Sequence, residues 1–354
     1  MRNRILPLLF FMLFTYSDIS HCERKTIVVE NERVKAVFDL GGGALADFHF
    51  KDQGLNPLSW NHPEPGDMKA QKMGHFICFD RLARSSKQEI ANGMPGHGEA
   101  QQIFWKGAVA DTRTMTMSCE LPIAKMRVDR TAVLSEKAAV LTVKETFTNQ
   151  NLLGKLYNIV QHPSIGGPFL DHTVLVDSNT WKGFSAGNPP PMLEEPIVYW
   201  PHMVKNSKVE NLRKLAPGDS PKVVSFICDK DAPLGWITAS NPGKNLLIGY
   251  VWSTSDYYWI RHWCHIKDNV PLARGLEFGT TPLPLPFGDI LKKGPIFDTP
   301  TILYLDSGEK TVKEYIAFLM EIPVTFQGVE TITNENNLIT VTEKNTEQKF
   351  MLSY

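Results

Sequence analysis

The sequence lacks an excess of charge of either sign: 37 Lys and Arg stand against 38 Asp and Glu over 354 residues, a formal net charge of −1. Without a basic surplus there is no long-range pull on phosphate backbones, which excludes nucleic acid as an expected partner. Cysteine is scarce as well, at five residues. Cys78, Cys119, Cys228 and Cys264 lie far apart on apolar stretches, and with no CxxC pair a cysteine-built zinc site is not expected. Buried free thiols are the preferred reading of these four positions, although an exported chain would permit disulfides and sequence does not choose among the pairings. Long hydrophobic runs are missing except at the start, and no internal repeat or low-complexity tract occurs. With 42% apolar and 21% charged residues the composition is that of a globular protein, so disorder of its bulk is excluded.

The first 22 residues have the layout of a secretory signal peptide. Arg2 and Arg4 give a positive start, Ile5 to Tyr16 is almost wholly apolar, and polar Ser17 to His21 follow. An apolar run of about 12 is too short for a membrane span, so no transmembrane segment is expected in the mature chain. Export to the periplasm or the extracellular space follows from this reading. Cys22 stands where a bacterial lipoprotein carries its acylated cysteine, which makes it the candidate for a lipid anchor.

Beyond residue 22 the pattern has period two. Met115, Met117, Cys119 and Leu121 alternate with Thr114, Thr116, Ser118 and Glu120, and Leu141, Val143 and Phe147 alternate with Thr142, Lys144 and Thr146. Such alternation marks half-buried strands of antiparallel sheets. Further strands are expected at 26–30, 33–38, 74–79, 156–161, 223–228, 235–240, 246–252 and 301–305. One helix is expected, because Val312, Tyr315, Ile316 and Leu319 fall at helical spacing before Pro323. Residues 183–221, rich in Pro, Gly and polar residues, read as a surface excursion, and 329–352 as strands closing a sheet edge. The expectation is all-β: one large antiparallel β-sandwich domain over 23–354.

Three stretches concentrate groups able to do chemistry. Phe79-Asp80-Arg81 leads to Gly96-His97-Gly98-Glu99, where two glycines leave an imidazole uncovered in a tight turn. Gln161-His162-Pro163 puts a histidine just before a proline, where the strand is expected to stop. In Gly275-Leu276-Glu277-Phe278-Gly279 a carboxylate is embedded in an apolar strand. It needs a partner such as Arg274 or Arg261, or a raised pKa of the kind a general base uses. Trp252, Trp259 and Trp263 belong to an aromatic-rich run from Tyr250 to Trp263 that can stack on sugar faces or fill the interior. Glu145, on the buried parity of its strand, either lines a cleft or pairs with an arginine.

Together the three stretches resemble the aldose 1-epimerase (galactose mutarotase-like) superfamily, whose members are large antiparallel β-sandwiches. The family order is an arginine, a histidine in a glycine-rich turn, a histidine before proline, and a late glutamate. Arg81, His97, His162 and Glu277 follow that order over roughly residues 26–327. The resemblance implies a mutarotase-like isomerase acting on an aldose or sugar derivative. Glu277 would be the base and His162 the acid, on opposite sides of the space a sugar ring fills. Arg81 and His97 would bind the ring oxygen and hydroxyls. Glu99, Trp252, Trp259 and Trp263 are further candidates for sugar contact. Asp171 and Asp256 are candidates for the aspartate that galactose-acting members use to hold hydroxyls. Neither a metal nor an organic cofactor is required by this chemistry. Two alternatives stay open: a carbohydrate-binding protein without turnover, and a polysaccharide lyase or glycoside hydrolase. A hydrolase would need a second carboxylate about 5–10 Å from the first, for which Glu99 and Glu145 are available.

Overall fold

The computed structural model describes residues 24–185, 198–205, 207–229 and 231–354. The expected signal peptide, with Cys22, lies outside the described residues. Two large antiparallel sheets face each other. The ten-stranded sheet runs, in spatial order, Thr26–Glu30, Val34–Asp39, Leu45–Phe50, His75–Phe79, Ile159–Ile165, Val270–Gly279, Trp259–Lys267, Lys222–Cys228, Thr180–Ser185 and Val198–Tyr199. The eight-stranded sheet runs Leu175–Ser178, Leu234–Asn241, Leu246–Ser253, Lys310–Glu321, Val140–Asn149, Met126–Leu134, Thr114–Leu121 and Lys106–Asp111. The alternation read from 114–121 is the burial pattern of that strand, with Met115, Met117, Cys119 and Leu121 inside. Phe38, Phe48, Phe79, Leu141, Phe147, Tyr250 and Phe278 meet between the sheets. The fold is the all-β sandwich that the period-two pattern predicts.

The segment from Val312 to Leu319 is not a helix but part of the strand Lys310–Glu321. Both faces of that strand are covered. Tyr315, Ala317 and Leu319 enter the main core, while Phe318 and Met320 enter a second cluster with Ile332, Ile339 and Val341. A strand buried on both sides carries no clean alternation, and four of its apolar residues happen to fall at helical spacing. The C-terminal strands Val329–Glu335, Leu338–Glu343 and Lys349–Ser353 form a separate three-stranded sheet. They cover the outer face of the eight-stranded sheet rather than closing an edge. Helix among the described residues is limited to Lys87–Ala91, Phe287–Lys293 and two short 3₁₀ turns.

A second departure concerns Pro163. The strand does not end at His162 but continues to Ile165. Pro163 lies opposite His75, but its nitrogen faces the Val270–Gly279 strand, where the register skips from Gln161–Phe278 to Ser164–Gly275, so the missing N–H falls in that gap. On the other side of the strand the Ser164 amide donates to the Gly74 carbonyl at 2.9 Å.

A polar knot joins the two sheets behind the His162 strand. Arg130 and Glu145, on the eight-stranded sheet, pair at 2.7 Å with both side chains buried. Gln161, the neighbour of His162, donates to Glu145 and to the Tyr257 hydroxyl. Arg130 also donates to the Gly43 carbonyl and stacks over the Trp105 ring at 4.8 Å. The buried parity of Glu145 is thus explained by an arginine. The four cysteines are free and buried, as the apolar stretches around them suggested.

Candidate active site

On the face of the ten-stranded sheet turned away from the core, strand register assembles the site. His162 pairs with Phe76. The pairs Val160–Gly279 and Ser164–Gly275 bring His162 across from Glu277. Glu277 pairs with Arg261, and Arg261 with Ser225. Residues opposite each other in antiparallel strands project to the same face. Phe76, His162, Glu277, Arg261 and Ser225 therefore stand in a row across five strands.

Within that row the contacts are direct. His162 Nε2 lies 3.3 Å from Glu277 Oε1, and Arg261 Nη1 donates to Glu277 Oε2 at 2.8 Å. His162 Nδ1 lies 2.9 Å from the Ser164 hydroxyl. The imidazole stacks on Phe76 with centroids 4.4 Å apart and meets the edge of Trp263 at 5.8 Å. Trp60, from the excursion between the third and fourth strands, closes on Phe76 and Trp263 at 6.1 and 5.6 Å. Gly275 sits beneath Trp263: a Cβ there would come within 3.2 Å of both the Trp263 ring and Glu277 Oε1. A side chain at 275 would therefore press on the carboxylate.

His97 reaches the row from the loop after the fourth strand. The loop is braced by the helix Lys87–Ala91, whose Ser86 and Glu89 form a capping box. His97 and Gly98 both have positive φ, at 66° and 77°. A Cβ at Gly98 would lie only 2.0 Å from the Phe79 carbonyl oxygen, so glycine alone fits. The left-handed turn at His97 costs roughly 1–2 kcal/mol. It aims the imidazole at His162, with centroids 5.5 Å apart, and places Nδ1 3.3 Å from Cys78 Sγ.

Burial sets the protonation of these groups. It pushes the Glu277 carboxyl above its ordinary range, and the Arg261 cation opposes the shift. Burial, then Arg261, pushes His162 down to about 3. Burial, then the neighbouring His162, pushes His97 down to about 2. Both imidazoles are neutral at neutral pH. Burial and the Glu277 charge push the Cys78 thiol well up, so it stays protonated. The Lys72 ammonium is close enough to act on His97, His162 and Cys78.

The fold brings together Glu277, His162, His97 and Trp263. Arg81 lies at the margin: it pairs with Glu89 at 3.1 Å and donates to the Arg84 carbonyl, and its charge acts on His97. The other candidates are placed elsewhere. Glu99 accepts the backbone N–H groups of Ile123 and Ala124. Trp252 stacks on Phe278 at 4.1 Å inside the sandwich, its indole N–H donating to Tyr257. Trp259 packs among Phe184, Ile290 and Ile296, its N–H donating to Pro300. Asp171 is taken up by Thr173 and Asn241, and Asp256 by Lys313.

The separation of acid and base across a ring is corrected too, since the side chains of His162 and Glu277 touch. Sequence reasoning missed Phe76, Ser164, Cys78, Lys72 and Trp60, and left Arg261 as one of two partners for Glu277. The alternation Trp259, Arg261, Trp263 was the available signal for Arg261. For Trp60, in a loop without periodicity, there was none. Among the described residues no group of three or more His, Cys, Asp or Glu side chains is placed to hold a metal ion.

No family model matches the chain, and no curated protein matches its sequence. Solved structures do match. An Escherichia coli K12 protein, provisionally described as an aldose 1-epimerase, superposes with a TM-score of 0.61 at 13% identity, over 85% of this chain and 100% of its own. A galactose mutarotase-like protein from Clostridium acetobutylicum gives 0.60 at 14% identity, over 85% of this chain and 96% of its own. Another from Lactobacillus casei gives 0.58 at 17% identity, over 84% of this chain and 100% of its own. At such identities the likeness is one of fold. The chain has the galactose mutarotase-like β-sandwich fold.

Proposed function

We propose that this protein is a divergent, exported member of the aldose 1-epimerase superfamily, interconverting the anomers of an aldose or sugar derivative. The observation that carries the reading is the direct contact of His162 and Glu277, at 3.3 Å, on an aromatic-walled face of this fold. The anomeric hydroxyl and the ring oxygen are both bonded to C1, so a touching base and acid suit that end of the ring. Glu277 takes the proton of the C1 hydroxyl while the Nε2–H of His162 donates to the ring oxygen and the C1–O bond breaks. The proton on Glu277 then passes to the ring oxygen, and His162 keeps its single N–H throughout. One proton has moved from hydroxyl to ring oxygen, and both residues end as they began. Rotation about C1–C2 and closure by the reverse steps give the other anomer. His97, Trp263 and Trp60 supply a donor and flat faces for the sugar, and Arg81 joins from the margin. Each of the acid and the base contributes roughly 10²–10⁴ in rate.

Glu99 and Glu145 are committed to backbone amides and to Arg130, so neither of these two candidates is free to serve as the second carboxylate a glycoside hydrolase uses. A carbohydrate-binding protein without turnover is the second reading, favoured by the near-complete burial of the dyad, whose side chains are 5% and 2% exposed. Export rests on the sequence of residues 1–22 alone, and a lipid anchor at Cys22 goes with it. The deciding experiment is an anomer-exchange NMR screen over a panel of free sugars and sugar acids. Catalysed exchange of at least one member is expected. Binding with no exchange anywhere would give the second reading, and release of reducing ends from oligosaccharides would give the hydrolase.

A further inference from the structure

We infer that Cys78 and Ser164 are positioning residues that fix the tautomers of His97 and His162, holding the proton of each imidazole on Nε2. Cys78 Sγ lies 3.3 Å from His97 Nδ1, and Ser164 Oγ lies 2.9 Å from His162 Nδ1. An imidazole nitrogen is a strong acceptor and a thiol sulfur a poor one, so the Cys78–His97 proton belongs on sulfur, donated to Nδ1. Burial keeps that thiol protonated and that imidazole neutral. His97 then carries its own proton on Nε2, which has no hydrogen-bond partner among the described residues. That N–H is free for a ligand.

The same logic holds one strand over. The Ser164 hydroxyl has one proton and two acceptors: Nδ1 at 2.9 Å and the His162 carbonyl at 3.4 Å. The shorter contact takes it. On the far side of the ring an ionised Glu277 accepts only, so Nε2 at 3.3 Å must carry hydrogen. The opposite tautomer would set a nitrogen lone pair against a carboxylate and leave no proton facing the substrate. Which nitrogen holds the proton is set by the bond the other one makes. Cys78 lies two residues after Phe76 and Ser164 two after His162, so each shares the site face of its own strand.

The tautomer assignment stands on geometry; its use in catalysis rests on the isomerase reading above. The test is two-bond ¹⁵N–¹H correlation on the full chain labelled at histidine, at pH 7, with His97→Gln and His162→Gln supplying the assignments. Both rings are expected to show an unprotonated Nδ1 and a protonated Nε2. Cys78→Ala should let His97 populate both tautomers, and Cys78→Ser, which keeps a donor, should restore the single one. Ser164→Ala should weaken the same preference at His162, which Glu277 alone then holds, and lower kcat for anomer exchange by roughly 10–100-fold, with KM changed less than about threefold. A protonated Nδ1 on either ring of the parent protein, or tautomers unmoved in both alanine variants, overturns the inference. Failure of the isomerase reading looks different: the parent exchanges no anomer although both tautomers are as stated.

Discussion

His162 and Glu277 touch, Nε2 to Oε1 at 3.3 Å, while Arg261 holds the other carboxylate oxygen at 2.8 Å. Three adjacent strands thus hold a neutral imidazole, a carboxylate and a guanidinium in one line. Burial and Arg261 act oppositely on Glu277, with burial prevailing, so its carboxyl titrates above the ordinary range. A base there remains easily protonated, which is what proton exchange with a sugar hydroxyl needs.

Glu277→Gln keeps the shape and removes the base. Anomer exchange should fall by at least about 10²-fold, with sugar affinity largely retained by calorimetry. In the parent protein the rate should rise with pH through the raised Glu277 titration, because only the carboxylate is active. A rate that falls over that interval, or a glutamine variant at parent speed, would remove Glu277 from the mechanism.

Arg261 is the cation that restrains the Glu277 shift and adds to the downward shift of His162. Arg261→Gln should therefore move the acid limb of the pH–rate profile to higher pH. The variant should still be active above that limb. A loss equal at every pH would mean that Arg261 serves only to hold the strands in place.

How much of this was legible beforehand depended on what local pattern encodes. Alternation along Thr114–Leu121 reports a face of the sheet, so the sandwich could be read directly. Glu277 and His162 stood out because a carboxylate between apolar neighbours and a histidine before proline are unusual for a strand. Their partners did not stand out. Phe76 is one aromatic in a wholly buried strand, and its place beneath His162 depends on pairing between distant segments. The Val312–Leu319 error has the same root: coverage of the strand's second face comes from residues beyond 326, and nothing within the segment reports it.

Acid should unfold the protein early. An unfolded histidine titrates near 6.5, whereas His162 and His97 stay neutral down to about 3 and about 2. His75 and His262 are also held well below 6.5 by burial. Below that pH the unfolded chain binds protons that the folded chain refuses, so stability falls as pH drops. Each histidine contributes a slope of up to about 1.4 kcal/mol per pH unit. Asp80, pushed up to about 6 by burial, works in the other sense between 3.8 and 6. Four histidines against Asp80 and Glu277 leave a net loss. Urea midpoints should drop steadily from pH 7 to pH 5, and equal midpoints would contradict the neutral, buried assignment.

The polar knot of Arg130, Glu145 and Gln161 sets a last expectation, because it ties the His162 strand to the opposite sheet. Arg130 and Glu145 are fully desolvated partners at 2.7 Å, and Glu145 also takes the Gln161 amide. Removing one charge strands the other inside the core, which typically costs 3–5 kcal/mol, about the cost expected for Glu145→Ala. Replacing both together with apolar residues of similar volume leaves no buried charge behind. Arg130→Met combined with Glu145→Met should therefore cost less than Glu145→Ala alone, although it leaves the Gln161 amide with the Tyr257 hydroxyl as its one acceptor. The Gln161 side chain then loses its tie to the eight-stranded sheet, and His162 is the next residue. The double variant should consequently regain stability in urea titrations while its anomer exchange stays below the parent rate. Full activity in that variant would mean the ten-stranded sheet positions His162 without help from the knot.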